Sequence, residues 1–384
     1  MNNTRRSISI ELAAFGLAAC SRTTPQITQP SVTRAPAGLP PDLRPVANPG
    51  YQAWVTSFRS RAGGHGLSDA TISSGFRNTG YLPGVVTRDR NQTEFKRSLE
   101  DYLAIAASDE RIRKGRAAFA RHSGTLAALE DRYGVDAEII AAIWGLESFY
   151  GERRGDVPVV SATSTLAYDG RRGAFFEQQL VAALKILQNG DITADRMTGS
   201  WAGAMGHTQF IPTSYEGFAV DFTGDGRRDI WSEDPSDALA STAAYLARNG
   251  WTRGVRWGDE VGAGTSSGNI IQPQPGGPRF AVTGNFRAIK RYNNSDAYAI
   301  GVGHLADRIG GAGPLRTPFP PDANGLTKDD RVALQQRLTA AGFDTNGADG
   351  VIGPNSQKAI SAYQTSRGLP ATGEPSLALL RSLN

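Results

Sequence analysis

The stretch Ile139-Ile-Ala-Ala-Ile-Trp-Gly-Leu-Glu-Ser-Phe-Tyr-Gly151 decides how the chain is read. Its periodicity predicts the second half of a helix that opens near Asp136, with Ile139, Ile140, Ile143 and Leu146 as an apolar stripe. Glu147 falls on the same stripe, four residues after Ile143 and three after Trp144. Apolar neighbours disfavour a charged carboxylate. So does the C-terminal end of a helix, for which Gly151 is the expected cap. A carboxylic acid kept protonated near neutral pH suits general acid catalysis. Taken alone, the segment equally allows a glutamate that reaches the surface or pairs with Arg153.

Working outward, 384 residues are enough for two or three domains. With 41 basic and 37 acidic residues, the net charge of +4 is too small to argue for nucleic-acid binding. No run of about 18 apolar residues is present, so an ordinary membrane span is not expected. The single cysteine, Cys20, excludes an intrachain disulfide. Arg5 and Arg6, a modest apolar run and Leu17-Ala-Ala-Cys20 are similar to a bacterial lipoprotein signal, in which the cysteine is lipidated. An ordinary secretory signal is the alternative. The expectation is a signal peptide over 1–19, then a lipid anchor and disordered tether over 20–50, because seven prolines and no aromatics follow the cysteine up to Gly50.

A mainly helical (α+β) domain is expected over 51–310, with a small β or loop excursion in the Gly-, Ser- and Pro-rich 254–285. One long helix is expected over Arg111–Tyr133, and others over Glu177–Asn189, Asp237–Asn249 and Ala297–Ile309. A second Gly/Pro-rich segment, 311–325, reads as a linker to a small three-helix unit over 326–384.

Three segments add to Glu147. Ser200–Tyr215 is rich in glycine, with Gln209 and Ser200 able to bond hydroxyls and amides, and Trp201, Phe210 and Tyr215 offering flat faces for sugar rings. A tight glycine turn packed on the core is the alternative. Arg291–Tyr298 presents Tyr292, Asn293 and Tyr298 just before a helix, whose cap would be Asn294 or Ser295. Asp221-Phe-Thr-Gly-Asp-Gly-Arg-Arg-Asp229 resembles a calcium loop, with Ser232 where a bidentate acid is expected and Asp234 or Asp237 as later candidates. Any bound cation there would be structural; a metal-free Asp/Gly turn is the alternative.

Together, Trp144-Gly-Leu-Glu-Ser-x-Tyr-Gly151, Trp201-Ala-Gly-Ala-Met-Gly-x-x-Gln-Phe210, Asp221-Phe-x-Gly-Asp-Gly226 and Arg291-Tyr-Asn-x-Ser295 resemble the membrane-bound lytic murein transglycosylase B family over about 51–309. The resemblance implies a lysozyme-like domain that cleaves peptidoglycan between N-acetylmuramic acid and N-acetylglucosamine, leaving a 1,6-anhydro end. It implies Glu147 as the sole catalytic acid/base. It implies Tyr102, Ser200, Gln209, Phe210, Tyr245, Tyr292, Asn293 and Tyr298 as cleft residues. Asp221, Thr223, Asp225, the Arg227 carbonyl and Asp237 would form the cation loop, for Ca2+ or Na+, with no cofactor needed for catalysis. His207 receives no role. The C-terminal pattern Val332-x-Leu-Gln335, Asp349-Gly-x-x-Gly-Pro354 and Ala359-x-x-x-Tyr-Gln364 resembles a type-1 peptidoglycan-binding domain. The implied partners are peptidoglycan strands and, through Cys20, a membrane. The implied place is the periplasm, at the outer membrane. A hydrolysing muramidase and a non-catalytic peptidoglycan scaffold are the competing readings.

Overall fold

Seven of the sixteen described α-helix starts follow from capping side chains of one kind. Asn48, Ser68, Ser98, Ser108, Ser295, Thr327 and Ser376 each accept a hydrogen bond from the backbone N–H three residues on. In this computed structural model, which describes residues 38–91 and 97–383, the chain is predominantly helical. The signal-like segment and Cys20 lie outside the described residues.

The chain opens with α1 (Pro49–Ala62), α2 (Asp69–Gly75) and α3 (Pro83–Arg90). Four helices follow: α4 (Leu99–Ala106), α5 (Asp109–Arg121), α6 (Ser123–Tyr133) and α7 (Ala137–Ser148). Then come β1 (Val157–Pro158), α8 (Val159–Asp169), α9 (Gly173–Asn189), β2 (Thr198–Gly199), α10 (Pro212–Phe218) and α11 (Ser236–Arg248). The antiparallel strands β3 (Gly258–Val261), β4 (Asn269–Ile271) and β5 (Arg279–Val282) form a sheet with β5 in the middle, Gly258 opposite Val282 and Asn269 opposite Val282 on its two sides. Helices α12 (Gly284–Tyr292) and α13 (Asp296–Ile309) close this part. Helices α14 (Lys328–Ala340), α15 (Pro354–Ser366) and α16 (Leu377–Ser382) form the C-terminal unit, with their own core of Leu326, Leu334, Leu338, Ile360 and Tyr363.

Helix α7 is the axis of the larger core. Ile139 to Gly145 are all buried, so the helix is covered on every side rather than along one stripe. It packs among α5, α6, α11 and α13. A second core joins α1, α2, α8, α9 and α10 around Phe58, Leu184 and Tyr215.

Several expectations change. The tether does not run to residue 50: Leu39 and Leu43 are buried with Leu82, Val85 and Leu166, and Val46 bridges Tyr81. Two leucines are enough to anchor a proline-rich segment whose backbone needs few partners. The expected long helix breaks at His122 into α5 and α6. Helices α3, α8, α10 and α12 and strand β3 were not anticipated; short or all-round apolar segments carry no helical period. The segment 311–325 is packed, not loose. Arg316 and Thr317 donate backbone N–H bonds of 2.8 and 2.7 Å to Glu260, and Leu315 and Phe319 lie against the larger core.

The C-terminal unit is held by an ion cluster. Arg331 on α14 is 3% exposed and donates to Glu100 on α4, itself 8% exposed, at 2.5 Å, and to Asp322 at 3.2 Å. Its remaining donors reach the carbonyls of Gly350 and Leu326. Removing one member of a buried pair leaves the other charge uncompensated. Arg331→Met is expected to lower stability by about 3 kcal/mol in urea unfolding. A loss below about 0.5 kcal/mol would put the pair in the range of surface pairs.

Candidate active site

Helix α7 ends one residue after Glu147. Phe149, not Gly151, is its C-cap, and Phe149 (φ 55°), Tyr150 (φ 60°) and Gly151 (φ 89°) are left-handed in succession. For the two non-glycine residues this conformation is unfavourable and needs support from around it. The Phe149 ring is buried beneath Arg111, Lys114 and Arg153, whose charged ends lie 5.1, 4.6 and 4.6 Å from its centre. The Tyr150 hydroxyl donates to the Arg111 carbonyl at 3.0 Å. At Gly151 a Cβ would lie 2.6 Å from the His207 ring, so glycine is required by both its φ and its neighbour.

This turn is stapled to the segment 199–210. The Ser148 hydroxyl donates to the His207 carbonyl at 2.5 Å and accepts from Gly151 N–H at 2.9 Å. Trp144 Nε1–H donates to His207 Nδ1 at 3.1 Å, and His207 Nε2 lies 2.7 Å from the Ser232 carbonyl. These two contacts assign a neutral ring with its proton on Nε2. Arg154 adds bonds to the carbonyls of Trp231 and Ser232 and a pair with Glu233. His207, Ser148 and Arg154 thus position the site, although sequence reading gave none of them a part. Trp144 and His207 are distant in sequence, and no local pattern joins them.

Glu147 is half-buried, and the Tyr298 hydroxyl donates to its Oε1 at 2.6 Å. Tyr298 sits in the first turn of α13, capped by Ser295. Burial, and then the Glu147 charge, push the Tyr298 hydroxyl far above its ordinary pKa, so it remains a neutral donor. Tyr292, at the end of α12, is raised by the same two causes and donates to the Thr208 carbonyl at 2.6 Å. Its ring packs against Phe210 and Tyr245, with centroids 5.7 and 5.0 Å away. Tyr102 on α4 lies against Gly301 of α13, close enough to Tyr298 to act on its ionisation.

Gln209 is left-handed (φ 53°), and its amide group donates to the carbonyls of Arg154 and Gly206 at 3.0 and 2.9 Å. Ser200 accepts the Ala204 N–H at 3.1 Å and so shapes the glycine turn. The internal bonds are those of a tight glycine turn packed on the core. Phe210 is 2% exposed and forms floor rather than face. Tyr215 is 0% exposed and bonds the Arg228 carbonyl, so it offers nothing to a sugar. Asn293 lies exposed on the link between α12 and α13, its N–H bonded to the Ile289 carbonyl. Of the other nearby acids, Glu152 is exposed and paired with Lys114 at 2.6 Å, and Asp156 is exposed.

Apart from this site, carboxylate oxygens of Asp221, Asp225 and Asp237 come within 4.8 Å of one another. Asp237, not Asp234, completes the group: Asp234 caps Ser236, while Asp237 accepts the N–H groups of Phe222, Thr223 and Asp229. Burial raises the Asp237 carboxyl, which those N–H bonds only partly offset. At Asp221 burial also opposes charge, but the N–H groups of Gly226, Gly224 and Asp225 outweigh it and hold the carboxyl low. Thr223 and Arg227 are exposed in the same loop.

A half-buried carboxylate bonded by a neutral tyrosine, with further tyrosines beside it, sits in a lysozyme-like helical domain with a small sheet. Residues 50–267 and 263–307 match the family model described as a transglycosylase SLT domain, and 327–383 match a putative peptidoglycan binding domain. The chain belongs to the transglycosylase SLT family. It is 42% identical to SltB3 from Pseudomonas aeruginosa, solved in complex with NAG-anhNAM-pentapeptide, over 88% of this chain and 100% of that chain, with a TM-score of 0.68. The lytic transglycosylase Slt35 of Escherichia coli, solved in complex with calcium, is 26% identical over 68% of this chain and 93% of its own, with a TM-score of 0.57. Membrane-bound lytic murein transglycosylase B of Escherichia coli (strain K12) is 40% identical over 123 residues, 32% of this chain. That match spans 34% of the relative's own length.

Two outcomes follow. Tyr298→Phe keeps the buried ring but removes the donor to Glu147, and kcat on peptidoglycan is expected to fall about tenfold, from the worth of a hydrogen bond to a charged group. An unchanged kcat would show that the bond does not serve the reaction. For His207, burial holds the folded ring's pKa below 6.5, with Arg154 pressing the same way. The unfolded chain then binds the proton more readily. The resulting stability is full above about pH 6.5 and declines as pH falls through that value toward the folded pKa. Between pH 7 and 5, wild-type stability in urea is expected to fall more steeply than that of His207→Asn; parallel slopes would contradict the assignment.

Proposed function

We propose that the protein is a lytic transglycosylase that cleaves the β-1,4 bond between N-acetylmuramic acid and N-acetylglucosamine of peptidoglycan. The observation that carries this reading is the Tyr298–Glu147 contact in a site with one well-placed carboxylate. Glu147 protonates the glycosidic oxygen as the bond breaks. The muramic N-acetyl group supports the positive centre left at C1. Glu147, now ionised, takes the proton from the muramic C6 hydroxyl, which attacks C1 of the same sugar and closes a 1,6-anhydro ring. Tyr298 steadies the carboxylate through both proton transfers. The anhydro sugar named for the Pseudomonas SltB3 complex supports this product.

The protein acts in the cell envelope, where its polymer lies. Lipid on Cys20 would hold it there, at the outer membrane, and the C-terminal unit would raise the local concentration of strands. Digestion of purified sacculi tests the activity. Wild-type protein is expected to release fragments with anhydromuramoyl ends by mass spectrometry, and Glu147→Gln none. Reducing ends would make the enzyme a hydrolase, and equal release by both proteins would remove Glu147 from the chemistry.

Asp221, Asp225 and Asp237, with the Thr223 hydroxyl and Arg227 carbonyl, form an all-oxygen donor set suited to Ca2+ or Na+, and the calcium complex of Slt35 supports the first. The ion would fasten the loop to α11 and take no part in bond cleavage. Saturating Ca2+, at about 100 times Kd, would add about 2.7 kcal/mol to the folded state. The melting temperature is therefore expected to rise with Ca2+, fall with chelator and respond to neither in Asp225→Asn. A wild-type melting temperature indifferent to Ca2+ would contradict the site.

A further inference from the structure

Helix α4 is eight residues long, too short to hold itself in water, so its neighbours decide where it lies. Its middle packs on α13. A Cβ at Gly301 would come within 2.8 Å of the Tyr102 ring, 3.3 Å of Ala106 and 3.6 Å of Leu146, the residue before Glu147. Gly301 itself stands three residues after Tyr298. Three helices therefore meet at one glycine: α4 with Tyr102, α13 with Tyr298 and α7 with Glu147.

Two buried arginines hold the ends of α4. At its C-terminal end the Ile105 carbonyl accepts from Arg111 of α5 at 2.5 Å, and that guanidinium also lies over the Phe149 ring. At its N-terminal end Arg331 reaches Glu100 and, at 3.4 Å, Asp101, the two residues that precede Tyr102. This second arginine comes from the C-terminal unit. Among the described residues, the apolar core of that unit includes none before Leu326, and the ion cluster borders a cavity of about 530 Å³. The unit thus meets α4 through charge rather than through a shared core. Desolvating such a cluster is costly, and apolar side chains would dock the unit as well. What the ion pair adds is a fixed position for one short helix.

We propose that Arg331 and Glu100 are positioning residues for the reaction: through this pair the C-terminal unit fixes the first turn of α4 and so places Tyr102 beside Tyr298 and Glu147. The inference rests on the transglycosylase reading above, with Tyr102 as a cleft residue. The C-terminal unit then has a part besides raising the local concentration of strands. It completes one wall of the cleft, and even a substrate too short to be captured by it is cleaved at a rate that depends on it.

The test uses the full-length protein and the shortest soluble peptidoglycan fragment that the wild type cleaves, at a temperature below the melting of every variant. For Arg331→Met, kcat/KM is expected to fall about fivefold, the size of coupling within one contact network. Glu100→Gln keeps the shape of its side chain and leaves Arg331 its bonds to Asp322 and to the carbonyls of Gly350 and Leu326. It is the milder variant and is expected to change kcat/KM in the same direction, while Arg331→Lys, which keeps the charge, restores most of the loss. In a Tyr102→Ala background, Arg331→Met is expected to cause no further fall, because the ring it positions is gone. A purely structural role would instead lower activity by the same factor with and without Tyr102. That result, or wild-type kinetics of Arg331→Met on the fragment, would overturn the proposal. Failure of the wild type to cleave any fragment or intact sacculi would overturn the transglycosylase reading, and this assignment with it.

Discussion

The left-handed turn that follows Glu147 is the constraint on which the rest of the site depends. A helix running on past Ser148 would carry Phe149 and Tyr150 away from their partners. Each L-residue in that conformation costs roughly 1–2 kcal/mol. The cost is offset by a buried ring under three cations, by the Tyr150 bond to Arg111 and by the Ser148–His207–Trp144 staple. Those supports come from α5, α7, Arg153 just after the turn, and the 199–210 segment. The turn therefore joins the element that bears the acid to the segment that carries Gln209 and Phe210. Gln209 is left-handed too, so strain gathers where the substrate would lie.

With that frame in place, the chemistry needs little else. Tyr298 and Tyr292 are held neutral by burial beside a carboxylate, and each therefore offers a proton in a hydrogen bond without competing for charge. Tyr298 directs its bond at Glu147 and Tyr292 at the 208 carbonyl. The other acids close by in sequence are drawn elsewhere, Glu152 to Lys114, or exposed, as Asp156 is. In the proposed reaction Glu147 acts first as acid and then as base. The most available second nucleophile is then a hydroxyl of the substrate itself, held at high effective concentration.

Much of this was legible in the chain. The period of Ile139, Ile140 and Ile143 marked α7, and Ser295 was one of the two cap candidates for α13, because both signals are local. Glu147 stood out as an acid on an apolar surface, and the Arg291–Tyr298 motif pointed to the tyrosine that meets it. What escaped is non-local. The end of α7 at Phe149 is invisible to propensity, since only the surrounding cations and His207 make a left-handed phenylalanine tolerable. Tyr215 looked like a sugar platform until the core closed over it. The 311–325 segment has linker composition, yet Glu260 fastens its backbone, and Arg331 reaches from α14 to an acid on α4.

The central claim is that a hydroxyl of the substrate, not water, completes the reaction at Glu147. Digesting peptidoglycan in water enriched in oxygen-18 tests it most directly. The account predicts muramoyl ends that carry no label and weigh one water less than their hydrolysed counterparts. Ends that gain one labelled oxygen for each bond cut would contradict it.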